Sequence, residues 1–395
     1  MRYPALESLR GLAALVVVIH HHLLVFPALY PYRVGAAGLA GALLHTPLHL
    51  LWAGGEAVLL FFVLSGFVLS LASWSGQPLD MPTFITRRLW RIWVPFMAAV
   101  TVAYAAGLLI GTAPVSGVSV WFSAIWQGAS PMAYLQHMLM LGAMDTLNGA
   151  FIPVVWSLKW EMWGSLLIPL VTLLARQSTL IVLGACTLLI ALHWQLGGGT
   201  DIATGLMRYL PMFVIGALIA RHRAAVAVWI AARPSPFRVA LLAAALLLMP
   251  VAWYGSAEVT VPRQVLDDLG VVLAAGVLIA LSLGWPGFQR WLERPALLWL
   301  GRVSFSLYLY HTLVLTITVR LGQTLLPLPA LLPISAGLTF LVAHLAHRFI
   351  EVPAMAYGKQ ITRPAQPPRL TELTASKRPD DLSLSFTRRN TPPKP

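Results

Sequence analysis

Charged side chains are scarce in this 395-residue chain: 10% of residues, against about 25% in a soluble domain. A surface facing water needs that charge, so lipid must replace water over most of the molecule. The 58% hydrophobic content and the mean hydropathy of +0.75 agree. Cysteine is nearly missing too. Cys186 stands alone, which excludes an intrachain disulfide and argues against a cysteine-based metal cluster; no metal is expected. Acidic residues are the rarer sign, 14 against 27 basic ones, giving a net charge of +13. That excess sits in short loops between apolar runs, a pattern of membrane topology rather than of nucleic-acid binding. No internal repeat is evident, which weakens any analogy with inverted-repeat transporters. The first apolar run has no clear small-residue cleavage site after it, so it reads as a span rather than a signal peptide.

The runs that are present have the length of membrane spans, about 20 mostly apolar residues each. They centre on Gly11–Leu29, Leu51–Leu71, Val94–Ile110, Val155–Leu174 and Leu180–Trp194. A second set follows at Leu206–Ala220, Val239–Trp253, Leu269–Leu283, Val303–Val319 and Ala330–Phe349. The expected fold is all-α, a polytopic protein of about ten transmembrane helices. With the N-terminus inside, the cytoplasmic loops hold Arg87, Arg88 and Arg91, then Arg176, then Arg221, Arg223, Arg233 and Arg238, then Arg290, Arg294 and Arg302, and lastly Arg348. The opposite side holds Arg33, Arg208, Arg263 and Arg320, and Ala113–Phe151 has no Lys or Arg at all. Positive charge accumulates on the cytoplasmic side, so both termini are expected there, in a multi-pass protein of the cell membrane, a bacterial inner membrane. Ala113–Phe151 is too polar and Gly/Pro-broken to cross, and its Trp121, Phe122 and Trp126 suit the outer interface. The chain divides into a membrane domain, 1–358, and a tail, 359–395, whose Pro, Arg, Ser and Thr without periodicity predict disorder.

Ionisable groups within spans cost several kcal/mol unless paired or hydrated, so each is a functional candidate. His20, His21 and His22 lie in the first span, Glu161 in the fourth and His311 in the ninth. At the helical rise, His21 is about 16 Å from the cytoplasmic end of its helix at Arg10, His311 about 14 Å from Arg302, and Glu161 about 22 Å from Arg176. All three depths fall in the middle or outer half of a core about 30 Å thick. Intramembrane histidines also serve as interhelical packing devices. Successive helical residues point about 100° apart, so at least one of His20, His21 and His22 faces away from any shared site. Glu161 must find a cation or stay protonated. Ser65 is a possible nucleophile, but a Ser-Gly step in a helix is more often a packing contact.

Six segments and one spacing, in order, resemble the integral-membrane acyltransferase 3 family. They are Leu6-Glu7-Ser8-Leu9-Arg10-Gly11-Leu12-Ala13-Ala14, with its Arg10-x10-His21 spacing, and Phe61-Phe62-Val63-Leu64-Ser65-Gly66-Phe67. Arg88-x-x-Arg91 and Trp156-Ser157-Leu158-x-x-Glu161 follow, then Gly301-Arg302-Val303-Ser304-Phe305-Ser306-Leu307-Tyr308-Leu309-Tyr310-His311 and Phe349-Ile350-Glu351-Val352-Pro353. The chain departs from the family where Leu59 and Met162 replace acids or amides, and Glu56, one turn before Leu59, is a candidate substitute. The resemblance implies an O-acyltransferase of sugars, macrolides or envelope polymers, in a stand-alone form or one with a separate partner.

Transfer from a thioester to a hydroxyl needs a base, a donor site and exclusion of water. His21 is the expected base, with His311 as the further candidate. Glu161 is expected to orient His21 as a carboxylate orients imidazole in hydrolase triads. Arg88 and Arg91, three residues apart on one helix face, are expected with Arg10 to grip the phosphates of cytoplasmic acyl-CoA, the donor substrate. Topology alone would also account for Arg87, Arg88 and Arg91. The expected reaction moves an acyl group, acetyl by expectation, to a carbohydrate or glycoside acceptor. The rival from another class is a proton-coupled transporter or flippase using the same buried His and Glu residues.

Overall fold

A computed structural model describes residues 3–31, 36–76, 80–127, 129–140, 151–199, 201–254 and 260–363. Among those residues every regular element is helical. The principal helices are α1 (Pro4–Leu23), α2 (Gly54–Trp74), α3 (Met81–Ile110), α4 (Val155–Leu166) and α5 (Thr179–Gln195). They continue as α6 (Ile202–Arg221), α7 (Ser235–Leu248), α8 (Val261–Gly284), α9 (Pro295–Gly322) and α10 (Leu328–Ile361). Proline in the first turn starts α1, α8, α9 and α10, where its missing N–H would have had no partner. Asp201 starts α6 instead, its Oδ1 accepting from the N–H groups of Ala203 and Thr204.

Each expected span falls on one of these helices, yet only five (α2, α3, α6, α8 and α10) are long and apolar enough to cross a membrane. The chain is thus a helical membrane protein. Among the rest, α5 and α7 are short, and α4 breaks at Leu167 before the separate helix Ile168–Leu174. Helices α1 and α9 have the length but not the hydropathy, because they carry the histidines and many of the buried hydroxyls. The sequence placed two boundaries wrongly. Helix α1 ends at Leu23 rather than Leu29. Helix α10 continues past Phe349, through the π-helical turn His347–Glu351, to Ile361. The expected domain limit at residue 358 therefore lies inside a helix, and the expected tail from residue 364 onward lies outside the described residues.

Two crossings hold the bundle, and both depend on glycine. Where α1 meets α9, a Cβ on Gly11 would lie 2.6 Å from the Gly301 nitrogen, and one on Gly301 would lie 2.6 Å from the Glu7 carbonyl carbon. Where α2 meets α6, a Cβ on Gly66 would lie 2.6 Å from Phe213 Cα, and one on Gly216 would lie 2.7 Å from the Phe67 nitrogen. Lipid gives packed helices no hydrophobic gain over lipid-facing ones, so close backbone approach supplies the dispersion contact that holds them. Between α6 and α8 the tie is ionic: Arg208 Nη2 and Nε donate to Asp268 Oδ1 and Oδ2 at 2.8 and 2.9 Å. The Trp194 indole of α5 donates to the same Oδ2 at 2.8 Å, which gives the buried carboxylate three donors. On its other side, α1 borders a wholly apolar groove of about 680 Å³ lined by Leu12, Val16, Leu242 and Trp285 among others.

The aromatic segment after α3 is packed into the protein rather than exposed on its surface. Trp121, Phe122 and Trp126 are buried in the end of the bundle. The backbone explains why: Ser119 N donates to Val25 O at 2.8 Å, and Arg320 of α9 donates to the carbonyls of Ala113 and Ile125 at 2.9 and 2.8 Å. Arg320 also lies over the Trp126 ring, 5.4 Å from its centroid. The segment is thereby folded over the tops of α1 and α9.

A methyl at position 301 should separate α1 from α9. Gly301→Ala is expected to lower the stability of the detergent-solubilised protein by about 1–3 kcal/mol, the usual cost of overpacking. Gly55→Ala, where a Cβ meets nothing within 4 Å, is the control and should leave thermal unfolding unchanged. Equal melting temperatures for the two variants would contradict the packing described.

Candidate functional site

Two of the sequence-selected residues meet near one end of the α1–α9 crossing, and four gather near the other. At the far end, His21 and His311 meet directly, Nδ1 to Nε2, at 2.9 Å. His311 is fully buried, and its Nδ1 lies 2.7 Å from Tyr308 O and 3.2 Å from Leu307 O. Carbonyls only accept, so Nδ1 of His311 carries a proton and donates; in the neutral ring Nε2 then accepts. His21 Nδ1 must be the donor to it, with Val17 O as a second acceptor at 3.1 Å. That leaves Nε2 of His21 as the lone-pair nitrogen, the one able to take a proton. Trp121 stacks on the His21 ring, centroids 5.1 Å apart, and helps keep bulk water away.

The two neighbouring histidines turn elsewhere. His20 Nδ1 pairs with Trp52 O at 2.7 Å, and His22 bridges Val18 O at 2.8 Å and Ser335 Oγ of α10 at 3.2 Å. Both are spent on packing contacts.

At the near end, Arg10, Arg88, Arg91 and Glu161 line one cavity of about 220 Å³, together with Tyr3, Glu7 and Ser65. Arg88 is committed: its Nη2 lies 3.3 Å from Glu161 Oε1, and its Nε and Nη2 donate to Ser165 Oγ at 3.1 and 2.6 Å. Glu161 therefore pairs with Arg88 and not with His21, which corrects the triad expected from sequence. Its height relative to His21 also differs from the expectation: α4 breaks at Leu167, so the rise counted back from Arg176 does not follow one straight helix, and the carboxylate lies beside Arg10 and Arg88. Arg10 donates from Nε to Ser304 Oγ at 3.1 Å and lines the cavity. Arg91 belongs to a π-helical turn, Leu89–Trp93, a local widening that recurs at functional sites. Three guanidiniums against two carboxylates leave this cavity cationic, suited to an anionic group.

A narrower cavity of about 40 Å³ adjoins the first, sharing Arg10, Arg91 and Glu161 with it and adding Phe61, Ser157, Ser304 and Tyr308. Tyr308 is three residues before His311 on α9, so the two side chains lie on one helix face, ring centroids 6.1 Å apart. A cationic chamber thus borders a narrow neck at Tyr308, and His311 stands one turn further along the same face of α9. Sequence reasoning passed over Ser157, Ser165 and Tyr308 as individual site residues, because a neutral hydroxyl in a span carries no cost that would flag it. It likewise missed the Arg208–Asp268 pair, whose residues sit near helix starts and escape a hydropathy window.

Helices packed in this way around buried polar side chains define a polytopic helical membrane protein. The comparison with known families agrees: the profile of the acyltransferase 3 family, an acyltransferase domain, matches residues 3–348, and the chain belongs to that family. It is 26% identical over 348 residues to acyltransferase MdmB of Streptomyces mycarofaciens, covering 82% of this chain and 81% of that protein. It is also 26% identical over 322 residues to exopolysaccharide production protein ExoZ of Rhizobium meliloti (strain 1021), covering 78% and 91%. No solved structure matches the chain.

The Arg88–Glu161 contact can be measured by a double-mutant cycle on thermal or denaturant unfolding. Glu161→Gln is expected to cost about 1.5–3 kcal/mol, as for a hydrogen bond to a charged group. Adding Arg88→Met to it should recover part of that loss, because no buried cation is then left unpaired. Strictly additive losses would mean the two residues are not coupled.

Proposed function

We propose that this chain is an O-acyltransferase that moves an acetyl group from cytoplasmic acyl-CoA to a hydroxyl of a carbohydrate or glycoside. The observation that carries this reading is that the cationic cavity shares Arg10, Arg91 and Glu161 with the neck at Tyr308, on the face of α9 that also bears His311. Arg10 and Arg91 bind the donor's phosphates, while Arg88 is held by Glu161 and Ser165 as the wall behind them. The thioester extends into the neck, whose small volume, about 40 Å³, suits a short acyl group rather than a long one. Membership of the acyltransferase 3 family supports the reaction type, and the exopolysaccharide role in one relative's name supports a carbohydrate acceptor.

The chemistry follows from the tautomers. Nε2 of His21 takes the proton of the acceptor hydroxyl as its oxygen attacks the thioester carbonyl carbon. The resulting imidazolium keeps its Nδ1–H on His311 Nε2, so the charge is held by a neutral partner and two backbone carbonyls. When the tetrahedral intermediate collapses, the carbon–sulfur bond breaks and the departing CoA thiolate takes that proton back. Burial under Trp121 limits hydrolysis by water. In the proposed topology the chain crosses a bacterial inner membrane about ten times with both termini in the cytoplasm, which the arginine bias supports.

Release of thiol from acetyl-CoA by the purified protein tests the reading. His21→Ala should lower kcat by about 10²–10⁴-fold, the usual worth of a general base. His22→Gln should retain most of the activity. Arg91→Ala should instead raise the KM for acetyl-CoA by about tenfold or more, as for loss of one charge-assisted contact. Movement of a substrate driven by a pH gradient, without consumption of acetyl-CoA, would replace this reading with the transporter.

A further inference from the structure

The narrow cavity contains a hydroxyl pair with no part in binding the donor or moving the proton. Tyr308 Oη and Ser157 Oγ lie 2.5 Å apart, both buried, with Tyr308 held edge-on by Phe61 at 5.7 Å between centroids. The direction of this bond can be assigned. Ser157 donates its single proton to Val154 O at 2.9 Å, so its oxygen accepts from the phenol. The resting Tyr308 proton therefore points at a neutral hydroxyl oxygen, a weak acceptor. Both residues line the neck that also borders Arg10 and Glu161. Tyr308 stands one turn of α9 before His311, which in turn holds His21.

We propose that Tyr308 is the oxyanion donor of the transfer reaction, the group that binds the thioester carbonyl oxygen as it becomes negative. This rests on the acyl-CoA reading above. As the acceptor oxygen bonds to the carbonyl carbon, the π pair moves onto the carbonyl oxygen, and the Tyr308 O–H turns from Ser157 to that oxygen. No proton is transferred from the phenol. When the carbonyl re-forms and the carbon–sulfur bond breaks, the hydrogen bond returns to Ser157. A neutral acceptor in the resting state and an anionic one in the transition state make this contact stronger where it accelerates the step. The buried, low-dielectric neck increases that difference. Ser157 serves as the resting partner that aims the phenol, a positioning role.

Two variants separate this role from simple packing, since each breaks the same Tyr308–Ser157 bond. Tyr308→Phe should lower kcat for acetyl-CoA turnover by about 10²–10³-fold, the cost of one oxyanion-hole donor, with little change in the KM for acetyl-CoA. Ser157→Ala leaves the phenol in place and should keep kcat within about tenfold of the parent, a loss of alignment only. A packing role predicts equal losses in both, in folded yield as much as in turnover. A second measurement needs no acceptor: the infrared carbonyl stretch of bound acetyl-CoA labelled with carbon-13 should be lower in the parent than in Tyr308→Phe. Identical frequencies and equal turnover in those two proteins would overturn the proposal while leaving the acyltransferase reading intact. Failure of the parent to bind or consume acetyl-CoA would overturn both.

Discussion

The contact between α1 and α9 is the constraint on which the rest depends. Gly11 and Gly301 bring two backbones together so closely that neither position tolerates a Cβ without movement. The helices run parallel from that point, and each end of the contact carries one interhelical polar bond: Arg10 to Ser304 at one end, His21 to His311 at the other. Because rigid helices fix the rotation and height of every side chain they carry, one glycine pair sets the distance from the cationic cavity to the basic nitrogen. Sites built on such elements hold their geometry better than sites on loops.

The two ends handle charge differently, and each does so in a way that a membrane permits. The arginine end keeps its cations beside carboxylates and hydroxyls, in a chamber that an anion can enter. The histidine end holds no formal charge at rest; its tautomers are fixed by carbonyls that only accept. A carboxylate beside His21 would strengthen the base but would need its own counter-ion in a low-dielectric site. A second neutral imidazole avoids that cost and still provides an acceptor for the Nδ1 proton. Overhead, the 113–126 segment is pinned by Arg320, so water exclusion and helix packing share the same few bonds.

Much of this was readable in the sequence because lipid penalises charge. The spans followed from apolar length, and the candidate residues followed from ionisable groups where none should be. His21 and His311 were found at matching depth, and they touch. The same counting fails where a helix is broken. It put Glu161 near His21 in height, but α4 breaks at Leu167, and the carboxylate lies at the other end of the α1–α9 contact, beside Arg88. Hydroxyls such as Ser157, Ser165 and Tyr308 gave no signal, since a serine or tyrosine in a span costs little until a partner gives it a task. Composition suits Trp121 and Trp126 to an outer interface, and the tertiary ties of Ser119 and Arg320 add what composition does not carry, that both are packed into protein.

The central claim is that donor and base share one internal path. A structure of the protein in a lipid nanodisc, bound to an acetyl-CoA analogue with a non-cleavable thioether in place of the thioester, tests it directly. The account predicts the analogue's phosphates against Arg10 and Arg91 and its carbonyl group in the neck beside Tyr308, on the face of α9 that carries His311. Density for the analogue on another face of the bundle, or a carbonyl pointing away from α9, would contradict it.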